Sequence, residues 1–126
     1  MAGTLTISTL SDGTNSTSAT NPILGSAKAW VNFDGTLSGT ITPRASYNVN
    51  SVTKNSTGNY TVNFTNALAD ASYAAVTGFN RTSGLSNGEG MGLETYSYTT
   101  TSMSIVLNYY ENTAYDVFVC SVAFFR

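Results

Sequence analysis

The stretch NSTGNYTVNFT, residues 55–65, is typical of a turn followed by a β-strand. Asn, Ser and Gly at 55–58 favour a tight turn, and apolar and polar side chains alternate after Gly58. Tyr60, Val62 and Phe64 share one face of the predicted strand, and the opposite face carries Asn59, Thr61, Asn63 and Thr65. The strand is therefore predicted to have an apolar face toward a core and a polar face toward solvent.

The same stretch contains three overlapping Asn-x-Ser/Thr triplets, at Asn55, Asn59 and Asn63, each a formal N-glycosylation acceptor. Glycosylation requires export, and an export signal combines a basic start with an apolar run of roughly 7–15 residues. The first residues, MAGTLTISTLSDGTNST, contain neither feature. We therefore expect a protein made in a cytoplasm, in which these asparagines are polar residues of the turn and the strand.

Comparable alternation recurs at 27–33, 59–65, 102–109 and 115–125, and turn residues collect between these segments. No convincing helix is predicted, because the one candidate, 65–71, is too short to persist as more than a single turn. Seven or eight short strands separated by turns are typical of an antiparallel sandwich or barrel. The predicted fold class is all-β, a small antiparallel β-sandwich that is jelly-roll-like or similar.

The composition argues against nucleic-acid and membrane partners. The chain of 126 residues has the size of one domain, and only 10% of its residues are charged. Five basic residues against seven acidic ones give a net charge of -2, so no basic patch is available to neutralise phosphates. No apolar stretch approaches the roughly 18 residues that a membrane span needs.

The residues that usually carry catalysis or bind metals are scarce. The sequence has no histidine, which removes Ser-His and Cys-His nucleophile pairs and the commonest transition-metal ligand. The single cysteine, Cys120, lies in an apolar strand and is interpreted as a small hydrophobe. Glu89 and Glu94 could be imagined as a glycosidase pair, but no second element distinguishes them, and Asp12 and Asp34 supply too few carboxylates for a calcium loop. We predict no catalytic residue, no cofactor and no metal site.

The last predicted strand favours self-association, because both of its faces are apolar. Val117, Val119, Ala123 and Phe125 fall on one face, and the other carries Phe118, Cys120, Val122 and Phe124. A small sandwich covers only one face of each sheet, so the second face must contact either another layer of this chain or another copy of it, and self-association is the simpler expectation. The predicted assembly is a homo-oligomer, with a trimer favoured. Its predicted interface comprises Phe118, Val122, Phe124 and Trp30.

Trp30 is the only tryptophan, and it lies on the face of 27–33 opposite Ala29, Val31 and Phe33. A tryptophan in that position is either a platform on which carbohydrate stacks or an anchor of an interface. It is a core residue instead if the strand is covered on both sides.

The first 24 residues differ from the rest in being nearly charge-free and rich in Thr, Ser, Gly and Asn. Such a segment is expected to be weakly ordered on its own. We therefore divide the chain into an amino-terminal docking or oligomerisation segment, 1–24, and a β-sandwich domain, 25–126. A self-packed edge strand at 4–10 is the alternative.

Three stretches resemble the carboxy-terminal domain of tail-fibre and related virion proteins of tailed bacteriophages: GSAKAWVNFDGT at 25–36, NVNSVTKNSTGNYTVNFTNALADASYAAV at 48–76, and SVAFFR at 121–126. The resemblance implies a small β-sandwich-like domain on the virion surface, commonly trimeric, with variable loops that contact the host and no catalytic residues. The implied location is the virion, after synthesis in the host cytoplasm. The implied partners are copies of the chain, other tail or capsid proteins, and a host-surface glycan.

The glycine-rich stretch NRTSGLSNGEGMG, residues 80–92, is the predicted host-contact loop. Its glycine spacing does not fit a dinucleotide-binding fingerprint, and no helix is predicted after it. Its polar groups can hydrogen-bond sugar hydroxyls, and long loops on rigid β scaffolds commonly carry binding function. The predicted contact residues are Asn80, Arg81, Asn87 and Glu89.

Three functions stay open on the sequence alone. The favoured one is a short tail fibre or fibre tip that recognises the host surface. The first alternative is a capsid decoration protein that stabilises the phage head. The second is a polysaccharide-degrading enzyme, which the absence of histidine and the isolated carboxylates disfavour.

Overall fold

The fold is described here from a computed structural model, for residues 3–80, 91–109 and 114–126. Among these residues the secondary structure is almost entirely antiparallel β, so the all-β prediction is confirmed. In chain order the elements are β1 (Thr9–Ser11), β2 (Ser16–Ser18), α1 (Thr20–Gly25), β3 (Ala27–Phe33), β4 (Thr40–Ile41), β5 (Ala45–Tyr47), β6 (Val49–Ser56), β7 (Asn59–Phe64), β8 (Ala74–Asn80), β9 (Met91–Tyr96), β10 (Ser102–Tyr109) and β11 (Val119–Phe125).

Two sheets form a sandwich-like body. The five-stranded sheet has the order β4-β6-β7-β10-β9, and the four-stranded sheet has the order β5-β3-β11-β8. The strands at 27–33 and 102–109 have the predicted bounds, and β7 ends one residue earlier than predicted. The β6–β7 hairpin turns at Thr57 and Gly58, because β6 continues through Ser56.

The core lies between the two sheets. Tyr60, Val62 and Phe64 are buried, which confirms the predicted inward face of the opening stretch. The Phe64 ring meets the Phe124 ring edge-on at 4.9 Å between centroids, and the Tyr60 ring meets the Phe33 ring in the same way at 5.2 Å. These edge-to-face contacts join one sheet to the other.

The final strand is shorter than predicted, and two of its residues face the other way. β11 begins at Val119, and within it Cys120, Val122 and Phe124 point into the core. Before the strand the alternation breaks, so that Val117 is buried and Phe118 is exposed, the reverse of the predicted faces. A hydrogen bond to a distant segment accompanies this reversal: the carbonyl of Val117 accepts a hydrogen bond from the N–H of Gly35.

A helix lies where none was predicted, and the helical turn considered at 65–71 is not found. α1 spans six residues, and its Pro22 lies in the first turn, where a missing N–H removes no intrahelical bond. In 65–71 the chain is irregular instead, because the N–H of Leu68 donates to the carbonyl of Thr100 and its side chain enters the core. A tertiary contact thus replaces the local turn.

The amino-terminal residues form a small unit ahead of the sandwich. β1 and β2 form a two-stranded sheet whose strands pair with no other described strand, and α1 follows them. Large apolar side chains in this unit remain exposed: Leu5, Ile7, Leu10, Ile23 and Leu24. The Nζ of Lys28 holds the end of the unit to β3 through the carbonyl of Ile23 and the hydroxyl of Ser26.

Candidate interaction surface

The outward face of the four-stranded sheet presents a row of exposed aromatic and apolar side chains. Cross-strand register places Tyr47 beside Trp30, Trp30 beside Ala123, and Ala123 beside Val76. We call these four residues the aromatic row. Tyr47, Trp30 and Val76 are 59%, 40% and 61% exposed, so the row is open to solvent along its length. This exposure excludes the alternative in which Trp30 is a core residue.

The residues beside the aromatic row are small or polar. The adjacent row in the same register consists of Ala45, Asn32, Ser121 and Gly78. The amide of Asn32 donates to the hydroxyl of Ser121 at 2.8 Å, so these two polar groups satisfy each other. A flat face with an aromatic strip and a polar margin resembles the composition of protein interfaces, which are enriched in Trp and Tyr.

The outward face of the five-stranded sheet has the opposite character, and it contains the polar half of the opening stretch. The amide of Asn63 donates to the hydroxyls of Ser51 and Thr53 at 3.2 and 3.1 Å. The amide of Asn55 donates to the side-chain oxygens of Asn59 and Thr61, both at 2.9 Å. Hydroxyl and amide groups on this face therefore bond to one another across the strands. These bonds stabilise the face from within the chain.

A compact polar cluster ties one end of the sandwich together. The Nζ of Lys54 lies 2.6 Å from Oδ2 of Asp116, and the other carboxylate oxygen accepts the N–H of Gly58 at 2.9 Å. The hydroxyl of Tyr60 lies 3.0 Å from the carbonyl of Gly35 and 3.1 Å from Oδ1 of Asp116. Because the donors and acceptors are matched within the chain, the arrangement acts as a brace between β6, β7 and the residues that lead into β11.

The ionisation of this cluster follows from its surroundings. Burial raises the pKa of the Tyr60 hydroxyl, which therefore stays protonated at neutral pH. Burial also acts to raise the pKa of Asp116, but hydrogen bonds from Lys54 and Gly58 and the charge of Lys54 outweigh it and hold that pKa below its usual value. Asp116 is thus an ionised acceptor that favours the folded state.

We expect Asp116→Asn to lower the free energy of unfolding by about 1–3 kcal/mol at pH 7, because a charge-assisted contact to Lys54 is lost. The folded-state pKa of Asp116 lies below the unfolded value of about 3.9, so its contribution is complete above that pH and is lost as pH falls through the folded-state pKa. Urea titrations between pH 7 and pH 2.5 should therefore show the difference between wild type and variant shrinking below about pH 4. A difference that is constant with pH would contradict this role.

Of the four residues predicted for the oligomer interface, two are exposed in the structure and two are buried. Trp30 and Phe118 are exposed, and the guanidinium carbon of Arg44 lies 4.8 Å from the centre of the Phe118 ring. Val122 and Phe124 are 2% and 0% exposed and pack in the core of their own chain. These two residues offer no surface to a neighbour, because the opposite sheet of the same sandwich already covers their face.

Most of the predicted host-contact loop lies outside the described residues. Asn80 is the last residue of β8 and is exposed, whereas Arg81, Asn87 and Glu89 belong to the undescribed range 81–90. Glu94 is an exposed residue of β9. Within the described ranges no group of three or more side chains could hold a metal ion, and no helix is long and apolar enough to cross a membrane.

Cys120 is fully buried, as the sequence predicted. Burial raises the pKa of its thiol to about 12, so the group stays protonated and unreactive at neutral pH. Its role in the described structure is to fill the core.

The sequence did not single out Tyr47, Val76 or the Lys54–Asp116 pair. Tyr47 belongs to β5, a three-residue strand too short to give an alternation signal, and Val76 follows two alanines that give none either. Lys54 and Asp116 are 62 positions apart, and no local pattern relates them.

Comparisons with protein-family models, with curated proteins and with solved structures find no match to this chain.

Proposed function

We propose that the chain is a structural protein of a tailed-bacteriophage virion, a short tail fibre or fibre tip that assembles as a homotrimer and contacts the host surface. The resemblance stated above supports the virion role. Its three stretches coincide with β3, with β6, β7 and the start of β8, and with the end of β11, all within the sandwich. The observation that carries the proposal is the aromatic row, which stays open on one outward face while the other outward face is polar and bonded within itself.

Self-association is the use that best fits the aromatic row. Tryptophan and tyrosine dominate the energetics of interfaces, and they do so at the centre of patches that exclude water. The row has small residues beside it, and Lys28 is the one charged residue that its strands place on the same face. A second copy can therefore approach closely over Trp30, Ala123 and Val76, with the ammonium of Lys28 left at the solvated margin of the contact.

The amino-terminal unit supports attachment to a larger particle. Its exposed apolar side chains lie before β1 (Leu5 and Ile7), on β1 (Leu10) and on a six-residue helix (Ile23 and Leu24), and neither this hairpin nor this helix could persist in isolation. Asp12 is the single charged residue between Gly3 and Ala27. The same feature favours the second candidate function, a capsid decoration protein that docks through this unit onto the head.

The assembly is tested by light scattering on Trp30→Ser. We expect the wild-type protein to have three times the 13.3 kDa mass of one chain at micromolar concentration, and the variant to dissociate, because truncating a central interface aromatic costs about 2 kcal/mol or more. The matched control is Tyr96→Ser, since Tyr96 is 39% exposed but lies on the polar outward face and bonds to Asn59. A monomeric wild-type protein, or equal dissociation of the two variants, would contradict the assembly.

The location on the particle is tested separately by imaging virions with a labelled antibody. Label at the tail and reduced adsorption after shortening of 82–90 are expected for a fibre. Label on the head, with reduced tolerance of the capsid to heat when the protein is lost, is expected for a decoration protein. Either result decides between the two virion roles.

A further inference from the structure

A cleft lies at one end of the sandwich, next to the end of the aromatic row. It consists of two hollows of about 310 and 240 Å³ that share Asn48 as a wall. Tyr47, Thr65 and Asn66 line the first hollow, and the second is lined mainly by Lys28, Leu68 and Arg126. We call these hollows together the Asn48 cleft. We propose that the Asn48 cleft binds a carboxylate-bearing saccharide, an inference that rests on the proposed contact with a glycan-covered surface.

The wall of the cleft is held rigidly. Asn48 has a φ of 53°, in the left-handed region that asparagine tolerates better than most residues. Its side-chain amide donates to the carbonyls of Lys28 and Asn66, and its side-chain oxygen accepts the N–H of Asn66 at 2.8 Å. The N–H of Thr65 donates to the carbonyl of Asn48 at 3.1 Å. The shape of the cleft is therefore formed before any ligand arrives, which reduces the cost of ordering on binding.

One of the two basic side chains that line the cleft is not in an ion pair with a described acidic side chain. Arg126 makes a bidentate contact with Asp70, with its Nε at 2.8 Å from Oδ1 and its Nη2 at 2.5 Å from Oδ2. Within the described residues, Lys28 bonds to neutral oxygens, those of Ile23 and Ser26. Among the described basic side chains, Lys28 is the one that is not in an ion pair. Lys28 lines the second hollow, so an anionic group there would lie beside a basic side chain that no acidic side chain in the described residues pairs with.

The remaining lining has groups that fit a sugar ring. Tyr47 is the end residue of the aromatic row and also lines the first hollow, so its ring borders the cleft beside the proposed contact between copies, and aromatic rings stack on apolar faces. Thr65 and Asn66 add a hydroxyl and an amide to the lining of the first hollow, and the amide of Asn66 donates to the side-chain oxygen of Asn48. An aromatic face, a hydroxyl and an amide beside an ammonium can together recognise a hydroxylated ring that carries a carboxylate.

The test titrates the full-length protein, labelled with ¹⁵N, with tetragalacturonate and with the neutral tetrasaccharide of galactose. The two probes have the same ring hydroxyls at C2 and C3 and differ by the carboxylate at C6. We expect amide shifts at Asn48, Thr65 and Asn66 with a dissociation constant of about 1 mM for the acidic probe, and at least fivefold weaker binding of the neutral one. Equal binding of the two probes, shifts confined to other residues, or no shift at about 10 mM would overturn the proposal.

Two variants that each remove one positive charge test whether the carboxylate of the probe binds at Lys28. We expect Lys28→Gln to weaken binding of tetragalacturonate by about fivefold to tenfold, because the unpaired ammonium is removed. Arg44→Gln is the matched control, since Arg44 pairs with Asp34 just beyond the opposite end of β3 and should leave binding unchanged. Equal loss in both variants would indicate a non-specific effect of net charge and would overturn the site. The oligomer mass from light scattering is measured on the same samples, so a failure of the cleft is distinguishable from a failure of the proposed assembly.

Discussion

Replacing Phe124 by alanine is expected to lower the free energy of unfolding by about 3–5 kcal/mol, the usual cost of removing a fully buried phenylalanine. Phe124 is 0% exposed, and its ring meets the rings of Phe64 and Tyr73 at centroid distances of 4.9 and 5.8 Å. Its truncation leaves a cavity where the two sheets meet and removes both edge-to-face contacts. Urea denaturation followed by tyrosine fluorescence and circular dichroism measures the change.

Phe118→Ala is the matched control for this prediction, because the same side chain is removed six residues away in sequence. Phe118 is 44% exposed, and its recorded ring contact is with the guanidinium of Arg44. We expect its loss to cost less than about 1 kcal/mol. Equal effects of the two substitutions would show that Phe124 is not a core residue and that the strand register is wrong.

Gly58→Ala is the second substitution with a large expected effect, a loss of about 2–5 kcal/mol. Gly58 has a φ of 67°, and a left-handed conformation costs a residue with a Cβ about 1–2 kcal/mol. A Cβ at this position would also lie 2.7 Å from the carbonyl oxygen and 2.9 Å from the nitrogen of Tyr115, both of them backbone atoms that cannot move aside cheaply. Relieving that overlap adds about 1–3 kcal/mol and displaces the chain next to Asp116.

Gly39→Ala separates the two causes. Gly39 has a similar φ of 70°, but a Cβ there would have no atom within 4 Å. We therefore expect only the conformational cost, about 1–2 kcal/mol. Thermal unfolding of the two variants compares them directly, and equal losses would mean that the approach of Tyr115 to Gly58 contributes nothing.

The candidate surface was only partly predictable. Trp30 was placed on the face opposite the core-facing residues of its strand, and the structure confirms that placement. The other large members of the aromatic row, Tyr47 and Val76, lie 17 and 46 positions further along the chain, on two other strands. Which strands lie side by side depends on the order of the whole sheet, so no local pattern could identify the row. The Asn48 cleft could not be predicted for the same reason, because residues from Lys28 to Arg126 line it.

The sequence by itself determined β3, β7 and β10 and the inward side of each. The alternation in Asn59–Phe64 and Ser102–Tyr109 is a property of consecutive residues, and burial of one face of a pleated strand requires that period. Only the tertiary structure decided the faces of Val117 and Phe118, where the Gly35 hydrogen bond and the Lys54–Asp116 contact override the alternation. The tertiary structure also decided that the polar half of NSTGNYTVNFT bonds to its own neighbours and that the other sheet keeps its aromatic row exposed. Those outcomes depend on which strands pair, and pairing between distant strands is set by the packing of the whole sandwich and not by any one segment.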